Sequence, residues 1–242
     1  MSPLSFKRVG MMMQSATGAE QTAQIFAKLA DEAWQQLGAR PLAALSLHEI
    51  AQNVGVDAAL ASAVAGDPQR LVLGKMAALD DQAVLESFAD IEDAGEISIR
   101  EKILEALMHR FEVYAPYRVQ IEAVNRAACK RPDLGVALGL NLQHVTRRML
   151  AMAGDSCEGW RGMLRIKGVV GVVMMVARDW MKDDSPDLAP TMKGLDRRLQ
   201  QAEEWAISLR LFRQGEQQQA DSGRDDAAAA GRYGVNNGRR RI

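Results

Sequence analysis

A chain of 242 residues that is 48% hydrophobic and 25% charged has the apolar content for one large domain or two small ones. Its formal net charge of −1 at pH 7 gives no overall basic excess of the kind that accompanies nucleic-acid binding, although charge can be concentrated locally. Aromatics make up only 5%, Val, Ile and Thr never alternate with polar residues over a strand length, and helix formers dominate, so the composition points to an all-α protein.

Residues 1–18 carry no helical period and are expected to be unstructured. Lys7 and Arg8 precede a short apolar stretch from Val9 to Met13, too short for a signal peptide, which leads to the expectation of a cytosolic protein. A first helix is predicted from Ala19 to Leu37, with Ile25, Phe26, Leu29, Ala30 and Trp34 on one face and Gly38 closing it. Ser46 and Glu49 then have capping-box spacing, opening a short helix to about Asn53. Gly55 supplies a turn, and Asp57 is placed to cap a third helix from Ala58 to Ala65. Two short helices about a glycine turn, behind a longer one, make a helix-turn-helix unit over residues 19–80. Pro68 suits the first turn of a fourth helix through Leu71, Val72, Met76 and Leu79.

The remainder, residues 81–212, reads as a helical bundle for ligand binding and dimerisation. Ile99 to Tyr114 carries apolar positions at helical spacing, including Leu107 and Phe111, and Pro116 breaks the helix beyond it. Further helices are predicted from about Ala137 to Met152, from Trp160 to Met181, and after Ser185-Pro186-Asp187. From Gln214 the chain is Gln, Ala, Gly, Asp and Arg, so residues 213–242 are expected to form a disordered tail.

Base readout needs Arg, Lys, Asn or Gln on the recognition helix. Here that helix is Ala58-Ala59-Leu60-Ala61-Ser62-Ala63-Val64-Ala65, where Ser62 alone can hydrogen-bond through its side chain. Acids outnumber bases between Asp31 and Arg70, the wrong sign for counterion release. DNA is therefore not the expected partner. The segment Gly168 to Val176 is apolar nearly all round and its glycines leave room for a close neighbour or a ligand. Leu107, Phe111, Val170, Val173 and Met174 are the candidate lining of an apolar cavity, although plain core packing gives the same pattern. Cys129 and Cys157 have no metal-ligand spacing, and His48, His109 and His144 form no recognised metal motif, so no metal or other cofactor is expected. There is no nucleophile elbow or phosphate-cradling glycine motif, so no catalytic residue is assigned.

Trp180-Met181-Lys182-Asp183-Asp184-Ser185-Pro186-Asp187-Leu188, then Thr191 and Leu195-Asp196-Arg197-Arg198-Leu199, resembles the C-terminal signature of one family. That family comprises the ninth coenzyme-Q biosynthesis protein, a lipid-binding accessory factor, and its bacterial relatives. Arg110 to Arg118 is similar to its helix ending in a hydrophobe-Pro-aromatic step, and Ala153-Gly154-Asp155 followed by Trp160 to the loop before its apolar helix. The resemblance spans about Ala19 to Arg210. It implies a TetR-like all-α fold, a homodimer whose helix-turn-helix no longer works on DNA, and Asp184, Ser185, Pro186, Asp187 and Thr191 as family-motif positions. It also implies an apolar cavity for isoprenoid or phospholipid chains, and presentation of quinone intermediates to a pathway hydroxylase at the inner-membrane surface. Eukaryotic members carry an amphipathic C-terminal helix, and the residues after Phe212 depart from that pattern, leaving either weak peripheral contact through Leu209, Leu211 and Phe212 or no membrane action at all. The alternative reading is a TetR-type transcriptional regulator with a hydrophobic effector.

Overall fold

The computed structural model describes the backbone of residues 3–208 apart from 94 and 96, and side chains from residue 18 onward. Every regular element among the described residues is helical. The chain divides into two compact units, one of residues 1–79 with 116–139, the other of residues 80–115 with 140–242.

The first unit starts with α1 (Pro3–Leu37). The helix begins where the sequence reading expected unstructured chain to residue 18. Pro3 sits at its first position, where the missing N–H costs nothing, and the Met-, Gln- and Ala-containing stretch that follows has no later proline to stop it. Leu29, Ala33, Trp34 and Leu37 form its buried stripe. After a 3-10 turn come α2 (Leu47–Asn53) and α3 (Ala58–Ala65), which pack on each other and on α1 through Ile50, Ala51, Ala61 and Ala65. The small side chains of α3 allow this close approach. Gly55 between them takes φ +70, a left-handed turn that a β-carbon would strain.

Both short helices are capped, in different ways. Asp57 Oδ1 accepts from the amides of Ala59 (2.9 Å) and Leu60 (3.1 Å). Ser46 Oγ accepts from the Glu49 amide at 3.5 Å, but the reciprocal half of the expected capping box is absent, because the Glu49 carboxylate instead accepts from Arg40 at 2.8 Å. A complete capping box does occur further on, between Ser98 and Glu101.

Helix α4 (Pro68–Asp93) continues well past Leu79, the last position marked by its apolar pattern. Pro116 ends α5 (Ile99–Tyr114) in a 3-10 turn. The chain then enters α6 (Arg118–Ala128), which packs against α1 within the first unit. Residues 116–139 thus belong with the helix-turn-helix and not with the C-terminal bundle of residues 81–212 to which the sequence reading assigned them. The turn at Pro116 brings Tyr117 edge-on to Trp34, centroids 5.9 Å apart, which explains the grouping.

The second unit takes in α5, the later part of α7 (Pro132–Met152), α8 (Gly159–Trp180) and α9 (Ala189–Ser208). Helix α8 packs along α9, and α9 also touches α5. Its core comprises Ile103, Leu107 and Phe111 of α5, Met149 and Leu150 of α7, Ile166, Val169, Val172, Val173 and Val176 of α8, and Leu195 and Leu199 of α9. No helix among the described residues is long and apolar enough to cross a membrane. The expected tail at 213–242 lies outside the described residues.

Candidate functional site

The face that a helix-turn-helix turns toward DNA is built here from alanines. Ala58, Ala59, Leu60, Ser62 and Ala63 of α3 are exposed, while Ala61 and Ala65 face inward. Leu60 is 44% exposed, an apolar side chain where a base-reading one is needed. Neighbouring polar groups already have partners. The Asn53 amide donates to Glu32 at 2.7 Å, Arg40 is held by Glu49, Lys75 pairs with Asp31 at 2.7 Å, and the Arg70 guanidinium lies 5.9 Å from the centre of the Phe26 ring. Glu32, an acid additional to those at Asp31, Glu49, Asp57 and Asp67, is kept ionised by its hydrogen bonds from Gln36 and Asn53, which lower its pKa. The local field therefore disfavours phosphate.

The five apolar positions expected around a cavity are divided by the structure. Leu107, Phe111 and Val173 are buried, and the Phe111 ring lies 5.5 Å from Trp180 of α8. Val170 is half-buried. Met174 is not with them, being 60% exposed. It belongs to an outer stripe of α8 that includes Trp160, Met163, Leu164 and Met175. Gly168 and Gly171 fall on the same stripe, and a β-carbon at either would meet nothing within 4 Å. These glycines relieve no crowding inside the chain. They leave a strip, apolar apart from the exposed Lys167 and Arg178, where another backbone can approach.

The Ser-Pro-Asp motif builds the α8–α9 connection. Its centre is Asp183, one residue ahead of Asp184, where the motif was taken to begin. Asp183 Oδ1 accepts from the Ser185 amide (3.1 Å) and hydroxyl (2.5 Å), and Oδ2 from the Thr191 amide (3.0 Å) and hydroxyl (2.5 Å). Donors from Ser185 and Thr191 hold its carboxyl at about 2, below the ordinary value. Asp187 accepts from the Ala189 amide at the start of α9. Leu188 sits at φ +48, a left-handed conformation for a non-glycine, and its side chain is buried. Pro186 and Asp184 are exposed and Thr191 is buried. Asp183 thus fastens the entry to α9 through both of its carboxylate oxygens.

Two polar clusters have no signature in sequence. Asp80 of α4 accepts from Arg110 Nε (2.8 Å) and the Tyr114 hydroxyl (3.1 Å) through Oδ1, and from Asn141 (2.9 Å) through Oδ2. Burial pushes the Tyr114 phenol well above its ordinary range, so it serves as a donor. Asp155 and Arg165 form a buried pair, with Arg165 Nε 2.7 Å from Asp155 Oδ2. Beside it, burial and then the Asp155 charge raise Cys157 to about 11, which keeps it a thiol at neutral pH.

No protein-family model matches the chain, and no curated protein matches it in sequence. Among solved structures it is similar to a TetR transcriptional regulator from Rhodococcus sp. RHA1, with a TM-score of 0.55 and 13% identity, over 76% of this chain and 97% of that one. At that identity the likeness establishes the architecture: the chain has an all-α, TetR-like fold.

Proposed function

We propose that this chain is a noncatalytic accessory protein of ubiquinone biosynthesis that binds an isoprenoid or phospholipid chain and presents quinone intermediates to a hydroxylase. The observation that carries the proposal is the outward face of α3. A TetR-like fold displaying Ala58, Ala59, Leu60, Ser62 and Ala63 there lacks the side chains for reading base edges. The likeness of the Trp180–Leu199 segment to the coenzyme-Q accessory family supplies the pathway. Leu107, Phe111, Val170 and Val173 are the proposed surroundings of the bound chain. Met174 moves to a second role, on a face of α8 that a second copy of the chain covers in a homodimer. Contact with the inner membrane is peripheral in this reading.

The test is a deletion strain together with purified full-length protein. Lipid in the mass spectrum of the purified protein, with quinone depleted and an under-hydroxylated intermediate accumulating on deletion, is the expected result. Normal quinone in the deletion strain would sink the proposal.

A TetR-type regulator is the second reading, favoured by the intact helix-turn-helix geometry and by the solved regulator of the same fold. It requires sequence-specific, salt-sensitive retention of a DNA fragment.

A further inference from the structure

Where α4 runs toward α5, three side chains converge. Asp90 of α4 lies with Oδ2 2.8 Å from Nε2 of His109 on α5, and Glu105, one turn earlier on α5, has Oε1 3.5 Å from the same nitrogen. One donor atom from each lies within 4.8 Å of the other two. On the other side of the ring, Glu112 Oε2 is 3.9 Å from Nδ1. His109 is 15% exposed and held among the packed residues of α5, whereas the carboxylates are more than half open to solvent.

We propose that Asp90, Glu105 and His109 form a binding site for a divalent first-row transition-metal ion. Two features argue for it together. The donor set of one imidazole and two carboxylates, on a Glu-x-x-x-His helical turn and a facing helix, suits a borderline ion such as zinc, which binds such nitrogen and oxygen atoms at about 2.0–2.2 Å. The charge is also unbalanced, since among the described residues no Lys or Arg is ion-paired with Asp90, Glu105 or Glu112. A divalent ion compensates that excess. Two ligands on α5 and one on α4 make the ion a clip across the turn containing Gly95, which takes φ +73.

The experiment is calorimetric titration of the full-length protein with zinc chloride. Circular dichroism shows which variants remain folded. The expected result is one ion per chain, not displaced by excess magnesium, because an imidazole ligand disfavours hard ions. His109→Gln and Asp90→Asn each weaken binding at least tenfold. Cobalt(II) in place of zinc develops visible d–d absorption in the native protein and loses it in His109→Gln. Absence of zinc binding, or equal affinity in folded His109→Gln and Asp90→Asn variants, overturns the proposal. The latter result would move the ion elsewhere, such as to the exposed thiol of Cys129.

Discussion

Asp183 concentrates on one carboxylate the donors that hold the entry to α9, and its ionisation is therefore linked to folding. Its folded pKa of about 2 lies below the ordinary 3.8, so its contribution is present in full above the unfolded value and is lost as pH falls from about 4 through about 2. Urea unfolding of the native protein and Asp183→Asn is expected to show the variant less stable at pH 7, with the gap closing below pH 4. A gap independent of pH would refute the linkage. Asp155 acts differently, since it neutralises Arg165 inside the second unit. Asp155→Ala leaves a buried guanidinium without its carboxylate, and a loss of about 3–5 kcal/mol is expected in the same assay. Neither pairing is a sequence pattern. Asp183 stands close enough to Ser185 and Thr191 to be recognised as part of a turn, whereas Asp155 reaches Arg165 only after the chain has bent through Cys157 and Gly159 at positive φ.

At the scale of elements, the helix termini were the most legible features, because a cap is written within four residues. Asp57 was identified from its position alone, and Asp57→Ala is expected to lower stability by about 1 kcal/mol, read as a shift in the urea midpoint. The same local logic failed at Glu49. Its carboxylate has a competing partner in Arg40, nine residues away, and spacing within the box cannot reveal that competitor. Helix periodicity located α5 to the residue but could not orient α8, whose apolar residues run nearly all round. Both faces of such a helix satisfy a hydrophobic pattern, so Val173 and Met174, adjacent in sequence, received one role although the first is buried and the second open. That open face yields a sharp prediction. Met174→Glu with Met175→Glu should give a monomer in sedimentation with unchanged helicity, while an unaltered dimer would move the interface off α8.

For the molecule as a whole, the all-α architecture followed from composition and period, while the grouping of segments did not. The return of residues 116–139 to the first unit depends on tertiary contacts such as Tyr117 with Trp34, 83 positions apart in the chain by their residue numbers. The polar knot at Asp80 was equally hidden, its partners lying 30, 34 and 61 residues away. The functional prediction at this scale concerns nucleic acid. A regulator that neutralises several phosphates binds far more tightly at about 50 mM than at about 200 mM salt. This chain is expected to retain no genomic fragment even at the lower value, measured by selection from fragmented chromosomal DNA. Specific retention with a steep salt slope would establish the regulator reading instead.

The cap at Asp57 also constrains how the chain can change by mutation. Base recognition through α3 takes Arg, Lys, Asn or Gln at several outward positions, and each first step acts against a fixed negative charge at the helix entry. Lys or Arg at position 57 removes that charge only by releasing the Ala59 and Leu60 amides. Asn or Ser removes it while keeping a cap. A mutational route to such side chains therefore begins with a neutral cap that confers no binding by itself. Drift can move along α3 while the helix stays folded, and selection for DNA contact has nothing to act on until several changes have accumulated.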